Sequence, residues 1–145
     1  MYTHVLCPLD GSELAEKALP HAVAQARAFG ARLTLLRVVE VPVLPVTPDV
    51  VTVEIDLLPH LREDAQKYID EQVAVWREQL AEVRGEVVEG RAAEAIADFA
   101  VDRGVDLIVM ATHGRSGLSR LAFGSVADRV LRLAHCPVLL VRANP

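Results

Sequence analysis

The apolar run Leu107–Ala111 is the tightest constraint the chain places on its own fold. A short run without polar alternation fits a strand buried on both faces, and a sheet buries both faces only when helices cover each side. The run opens the stretch Val105–Val126, whose loop carries Gly114, Gly117 and Gly124. That loop closes on Gly124-Ser125, directly before an amphipathic helix expected over Val126–Ala134. The first turn of a helix leaves backbone N–H groups unpaired and carries a partial positive charge, and glycine lets an anion approach the backbone closely. Arg115 and Arg120 share the loop, which has no acidic residue, in a chain of net charge −5. A local excess of positive charge in an acidic protein favours an anionic ligand. The stretch reads as a phosphate site.

Tyr2–Pro8 reads as a first strand, ended by Pro8. Asp10-Gly11-Ser12 follows as turn and helix cap, with Ser12 or Asp10 able to bond the free N–H groups of the next helix. That helix is expected from about Glu13 to Phe29, with Leu14, Ala18, His21/Ala22, Gln25/Ala26 and Phe29 near one face, a kink at Pro20 and a stop at Gly30. Arg32–Val39 is the second strand. Glu40–His60 holds Pro42, Pro45, Pro48 and Pro59 and fits neither period, so it is expected as a long loop, either a surface excursion or a lid over a ligand. A helix from about Leu61 to Glu82 carries an apolar stripe, Ile69, Val73, Trp76, Leu80 and Val83, on which Trp76 is a core residue. A short third strand (Glu86–Glu89), a helix (Ala92–Arg103), the fourth strand, the glycine loop with its helix, and a fifth strand (Val138–Val141) complete the chain.

Strands and helices alternate throughout, which predicts an α/β fold: a five-stranded parallel sheet with helices on both faces. Right-handed crossovers favour the strand order 3-2-1-4-5. Strands 1 and 4 are then neighbours where the winding reverses, and ligands bind such sheets at the carboxyl ends of the strands beside that point. Pro8 and Asp10 sit at the end of strand 1; Met110 and Ala111 end strand 4, followed by Gly114, Arg115 and Gly117. The topology and the glycine pattern thus point to one place by separate routes.

At 145 residues the chain is expected to be a single domain, 1–145. Its acidic balance argues against a general nucleic-acid binder. No apolar stretch approaches the roughly 20 residues that cross a bilayer, and no basic-then-apolar leader opens the chain, so the cytoplasm is the expected location. Cys7 and Cys136 are far apart and read as buried thiols. The histidines have no metal-like spacing, and no serine–histidine–acid arrangement can be argued from order, so no catalytic residue is assigned. A P-loop and a G-x-G-x-x-G after strand 1 are both missing, which excludes the usual mono- and dinucleotide motifs.

The motifs Val-Leu-Cys-Pro-Leu-Asp-Gly-Ser, Asp-Leu-Ile-Val-Met-Ala-Thr-His-Gly-Arg-Ser-Gly-Leu, Phe-Gly-Ser-Val-Ala-Asp-Arg-Val and Cys-Pro-Val-Leu-Leu-Val-Arg, in this order, resemble the universal stress protein family over essentially the full chain. The nucleotide-binding branch of that family has Gly, two residues, Gly, nine residues, then Gly-Ser or Gly-Thr. Here Gly114 and Gly124-Ser125 keep that spacing, and Ala111 stands at the first glycine position. The resemblance implies a Rossmann-like fold of the adenine-nucleotide alpha-hydrolase type and an ATP site. Asp10 would hold the ribose side, Val38 would place backbone groups beside adenine, and Gly114, Gly124, Ser125 and Val126 would surround the phosphates, with Mg²⁺ or Mn²⁺ alongside. It also implies a homodimer through the edge strand Val138–Val141 and a regulatory switch that acts on a protein partner, with no nucleic acid or membrane involved. Two alternatives stand beside it: a slow ATPase or nucleotide phosphohydrolase on the same site, and a stress protein that binds no nucleotide and works by protein contacts.

Overall fold

The first strand, β1 (His4–Leu9), is buried at every position and lies at the centre of the sheet. The computed structural model describes residues 1–40, 48–113 and 124–143, by backbone alone over 48–56 and at 113. After β1 come α1 (Glu13–Glu16), α2 (Leu19–Phe29), β2 (Arg32–Val39), α3 (Pro48–Trp76) and β3 (Val83–Glu89). The second half is α4 (Ala92–Asp102), β4 (Leu107–His113), α5 (Ser125–Leu133) and β5 (Val138–Ala143). All strand pairs are parallel, in the order β3-β2-β1-β4-β5. This is the order and class expected from the sequence.

Side chains alternate across each strand, so the sheet carries two cores. Val5, Cys7, Leu33, Leu35 and Val109 face Leu19 and Val23 of α2 and Ile69 and Val73 of α3. Leu6, Leu36, Ile108 and Met110 face Ile96 and Phe99 of α4 and Val130 of α5. Each fully buried Leu, Ile or Val contributes roughly 1.5–3 kcal/mol by leaving water. Trp76 packs against the first core, as its place on the apolar stripe implies. Cys7 is fully buried, and that burial pushes its thiol up to about 12.

Proline accounts for the main departures from expectation. Pro20 breaks the first helix instead of kinking it: α1 stops at Glu16 and α2 starts at Leu19. Proline has no N–H for the Glu16 carbonyl and its ring crowds that carbonyl. The chain therefore restarts with Pro20 in the first turn of α2, where no N–H is required. Part of the expected loop Glu40–His60 is helical, because α3 begins at Pro48, carries Pro59 in its interior and ends at Trp76 instead of Glu82. The lid expectation falls on this stretch, of which residues 41–47 lie outside the described residues. Phe29 is not core; it is 41% exposed and meets the Tyr2 ring edge-on, centroids 5.0 Å apart. The third strand starts earlier, at Val83, which is buried and pairs with Leu33.

Gly85 explains how β3 lies so close to α3. A Cβ there would overlap Cγ2 of Ile69 and come within 3.0 Å of Cγ2 of Val73. Gly85→Ala is expected to destabilise the fold by about 1–3 kcal/mol, the usual range for overpacking. In an Ile69→Ala background, which removes the clashing methyl, the added cost of Gly85→Ala should shrink to near zero in a urea double-mutant cycle. Additive losses would refute the contact.

The amino end of the sheet is sealed by a buried histidine. His4 is 4% exposed; its Nδ1 lies 3.1 Å from the Arg103 carbonyl and its Nε2 lies 2.8 Å from the Thr34 hydroxyl. A carbonyl only accepts, so Nδ1–H donates to it; burial disfavours the imidazolium, and in the neutral ring Nε2 then accepts from the Thr34 hydroxyl. Burial, opposed by the bond to Arg103, holds its pKa below 6.5. Unfolded His4 therefore binds a proton before folded His4 does, and stability falls as pH drops below about 6.5. The urea midpoint of the wild type should fall between pH 7.5 and 5.5 more than that of His4→Gln. Parallel curves would show that His4 contributes nothing to the pH dependence.

Candidate functional site

A crevice opens at the switch point because of one missing N–H. The β1–β2 ladder runs from His4↔Arg32 to Leu9↔Arg37, whereas β1 and β4 pair only at Val5↔Leu107 and Leu6↔Ile108. Alternate residues of a parallel strand turn their backbone groups to the same neighbour. Arg32 N donates to the Thr3 carbonyl and Asp106 N to the His4 carbonyl, so His4, Leu6 and Pro8 face β4. The next rung requires an N–H at position 8, and proline has none. The strand end expected at Pro8 thus holds on the β4 side alone; toward β2, β1 continues through Leu9.

The cleft beyond that point has a volume of about 150 Å³, the size of a cavity that admits a benzene-sized ring. Pro8 and Leu9 of β1 and Met110 and Ala111 of β4 form its base, with Val38 of β2 beside Ala92 and Ile96 of α4. Asp10 stands on the opposite side with Leu14 and Ala15, and Gly124, Ser125 and Val126 close the end. The sequence-derived residues Pro8, Asp10, Val38, Met110, Ala111, Gly124, Ser125 and Val126 therefore converge. Gly114, Arg115 and Gly117, with Arg120, lie outside the described residues. Sequence reasoning missed Leu14, Ala15, Ala92 and Ile96, because a helix residue facing a cleft follows the same spacing as one facing a core. Gly90 was the available signal: its N–H donates to the Val39 carbonyl, which brings the start of α4 beside Val38.

Each polar group in the cleft has a defined state. Ser12 caps α1, its hydroxyl accepting from Ala15 N at 3.1 Å. Asp10 does not cap; its Oδ1 accepts from Ser12 N at 2.9 Å and from the Ser12 hydroxyl at 2.5 Å. Its other oxygen makes no hydrogen bond among the described residues. Gly124 is the N-cap of α5, at φ 76 and ψ 153, with no side-chain cap. That conformation favours glycine, and among the described residues no side chain meets the first N–H groups of α5. Ala111, where the family pattern has glycine, is an ordinary strand residue paired with Val141, and no described non-glycine residue has positive φ. Alanine brings no backbone strain there. The Val38 carbonyl faces the β1 side one residue past the last paired position, Arg37. At the start of α4, Glu40 supplies the cap, its Oε1 accepting from Ala92 N at 2.8 Å.

Among the described residues no three His, Cys, Asp or Glu side chains are grouped to hold a metal ion. A cation here would rest on ligand phosphates plus at most the free oxygen of Asp10, a donor set that suits Mg²⁺, which keeps its waters and takes few carboxylates. No described helix is long and apolar enough to cross a membrane.

A five-stranded parallel sheet in this order, with helices on both faces and a cleft at the switch point, defines the Rossmann-like class of fold. Residues 1–142 match the Universal stress protein family, and the chain belongs to it. It is 37% identical to a Thermus aquaticus universal stress protein over 147 residues, covering 98% of this chain and 100% of that one. It is 35% identical to universal stress protein MJ0531 of Methanocaldococcus jannaschii, covering 98% and 83%. Among solved structures, UspA from Lactobacillus plantarum superposes with a TM-score of 0.84 at 29% identity, covering 97% and 98%. A universal stress protein in complex with cAMP shares the fold at TM-score 0.65 and 22% identity, covering 99% of this chain and 98% of that one.

Pro8→Ala restores the missing N–H opposite the Val109 carbonyl. The added hydrogen bond is offset by the looser unfolded chain, so the informative readout is local, not the melting temperature. The new amide at position 8 is expected to exchange with deuterium as slowly as that of Leu6. Exchange at the rate of an open loop would mean that something other than Pro8 keeps the strands apart.

Proposed function

We propose that this chain binds ATP in the switch-point cleft and acts as a nucleotide-dependent regulatory protein of the stress response. The observation that carries this reading is the end of the cleft: Gly124 at φ 76 opens α5 without a side-chain cap, and the Ser125 and Val126 N–H groups, beside Asp10 and Val38, have no partner among the described residues. In this reading the adenine ring enters between Val38, Ala92 and Met110, where the Val38 carbonyl accepts from its amino group. Asp10 takes a ribose hydroxyl, and the phosphates, with Mg²⁺ or Mn²⁺, lie along Gly124-Ser125-Val126 and the loop of Gly114, Arg115 and Gly117. The cAMP held by a distant protein of this fold serves here as the class of ligand to test.

The chain would act as a single domain in the cytoplasm and signal by population shift, ATP favouring one surface for a protein partner. Two copies would join through Val138–Val141. Ile108 N donates to the Pro137 carbonyl, so alternation turns the backbone groups of Val138, Leu140 and Arg142 outward from the edge strand. Leu140→Pro removes an outward N–H without touching the ladder to β4, and it should weaken the dimer at least about tenfold by sedimentation. A sedimentation profile unchanged by it would place any dimer elsewhere.

The primary test is calorimetric titration of ATP and AMP, with and without Mg²⁺. Gly124→Val forces a branched side chain into a positive-φ position and should abolish ATP binding while the circular dichroism spectrum stays that of the wild type. A folded wild type that takes up no ATP would overturn the reading in favour of a stress protein that acts by contacts alone.

A further inference from the structure

Arg37 has no assigned role, yet it is the residue on which β2 ends its pairing with β1, at Leu9↔Arg37. Its side chain leaves the sheet on the side opposite Val38, so it is not part of the cleft wall. The guanidinium carbon lies 5.7 Å from the centroid of the Tyr68 ring. Its Nη1 lies 3.0 Å from where a Cβ on Gly11 would stand. Gly11, at φ 87, is thus glycine for two reasons, its backbone conformation and the cation against it. The Arg37 Nε is buried and has no hydrogen-bond partner among the described residues.

Tyr68 is itself fixed. Its hydroxyl donates to Oε2 of Glu16 at 3.0 Å, and Gln72 Nε2 reaches Oε1 of the same carboxylate at 3.5 Å. Burial first, and the Glu16 contact second, raise the phenol well above its ordinary range, so it remains a donor. Asp10, Glu16 and Arg37 all lie within electrostatic reach of that hydroxyl. Arg37 is therefore held between an aromatic face anchored on α3 and the backbone of the turn that presents Asp10. A cation whose buried N–H stays idle is costly to maintain for packing alone.

We infer that Arg37 is a positioning residue: by bracing Gly11 against Tyr68 it fixes the Asp10–Ser12 turn so that the free carboxylate oxygen of Asp10 meets the ribose hydroxyls of the nucleotide. The inference rests on the ATP reading above. Ser12 occupies the other Asp10 oxygen, and a carboxylate oxygen only accepts, so its partner on the ligand must be a donor. On the sugar of ATP the donors are the 2′ and 3′ hydroxyls. Arg37 accordingly sets selectivity for a hydroxylated sugar without touching the ligand.

The experiment compares ATP with 2′,3′-dideoxy-ATP by calorimetry on wild type, Arg37→Met and Tyr68→Leu. Wild type should prefer ATP by about tenfold, the worth of one hydrogen bond to a charged acceptor. In Arg37→Met the ATP affinity should fall until that preference is gone, with dideoxy-ATP affinity unchanged. Tyr68→Leu, which removes the face the cation rests on, should narrow the preference in the same direction, so a folding failure of the first variant does not end the test. A merely structural role would weaken both nucleotides equally, and that result, or an unmoved preference, would overturn the inference while leaving ATP binding intact. A folded wild type that binds neither nucleotide would overturn the ATP reading and this inference together.

Discussion

A buried parallel sheet tolerates almost no unpaired backbone group, and that constraint organises this molecule around the gap between β1 and β4. Pro8 ends their ladder after two pairs. Ile108 N reaches the Pro137 carbonyl, so by alternation Val109 and Ala111 turn their backbone groups the other way, toward β1. Past the Leu6↔Ile108 pair no further rung joins the two strands. Backbone groups left without a rung need water or a ligand as partner. The opening follows from backbone accounting and requires no catalytic side chain.

The two ends of the sheet are built on opposite principles. At the amino end the buried polar side chains are paired: His4 bridges Thr34 and Arg103, and Asp106 accepts from Thr3 N, Thr3 Oγ1 and His4 N at 2.9–3.1 Å. At the carboxyl end the second oxygen of Asp10, the Val38 carbonyl and the first N–H groups of α5 have no partner among the described residues. Since β1 joins the ends and is buried throughout, the closed end holds the open end rigid.

Much of this was legible in the sequence. The apolar runs of β1, β2 and β4 gave the class, and the alternation of elements gave the order, because the handedness of crossovers leaves few choices. The cleft was legible as Pro8, Asp10, Ala111 and Gly124-Ser125, each of which departs from the regular pattern around it. Residues that obey a regular pattern hid their role. Ile96 reads as the core side of a helix, and Arg37 reads as one charge in an apolar strand. Proline was seen but misjudged. Pro20 stops a helix that it was expected to bend, whereas Pro59 lies inside α3 where a loop was expected. The sign of a proline's effect depends on which backbone groups it faces, and that is fixed by tertiary placement.

The end of β2 is where the cleft and both helical layers meet. Val38 faces the cleft, Arg37 faces α3 through Tyr68, and Glu40 caps α4. Three contacts within four residues therefore join a ligand site to the helices on both faces of the sheet. β1 cannot yield, because moving it would expose a core on each side. Any displacement at the end of β2 must therefore be taken up by α3 and α4, which meet it through the Tyr68 side chain and the Glu40 cap, with the sheet as the fixed frame between them.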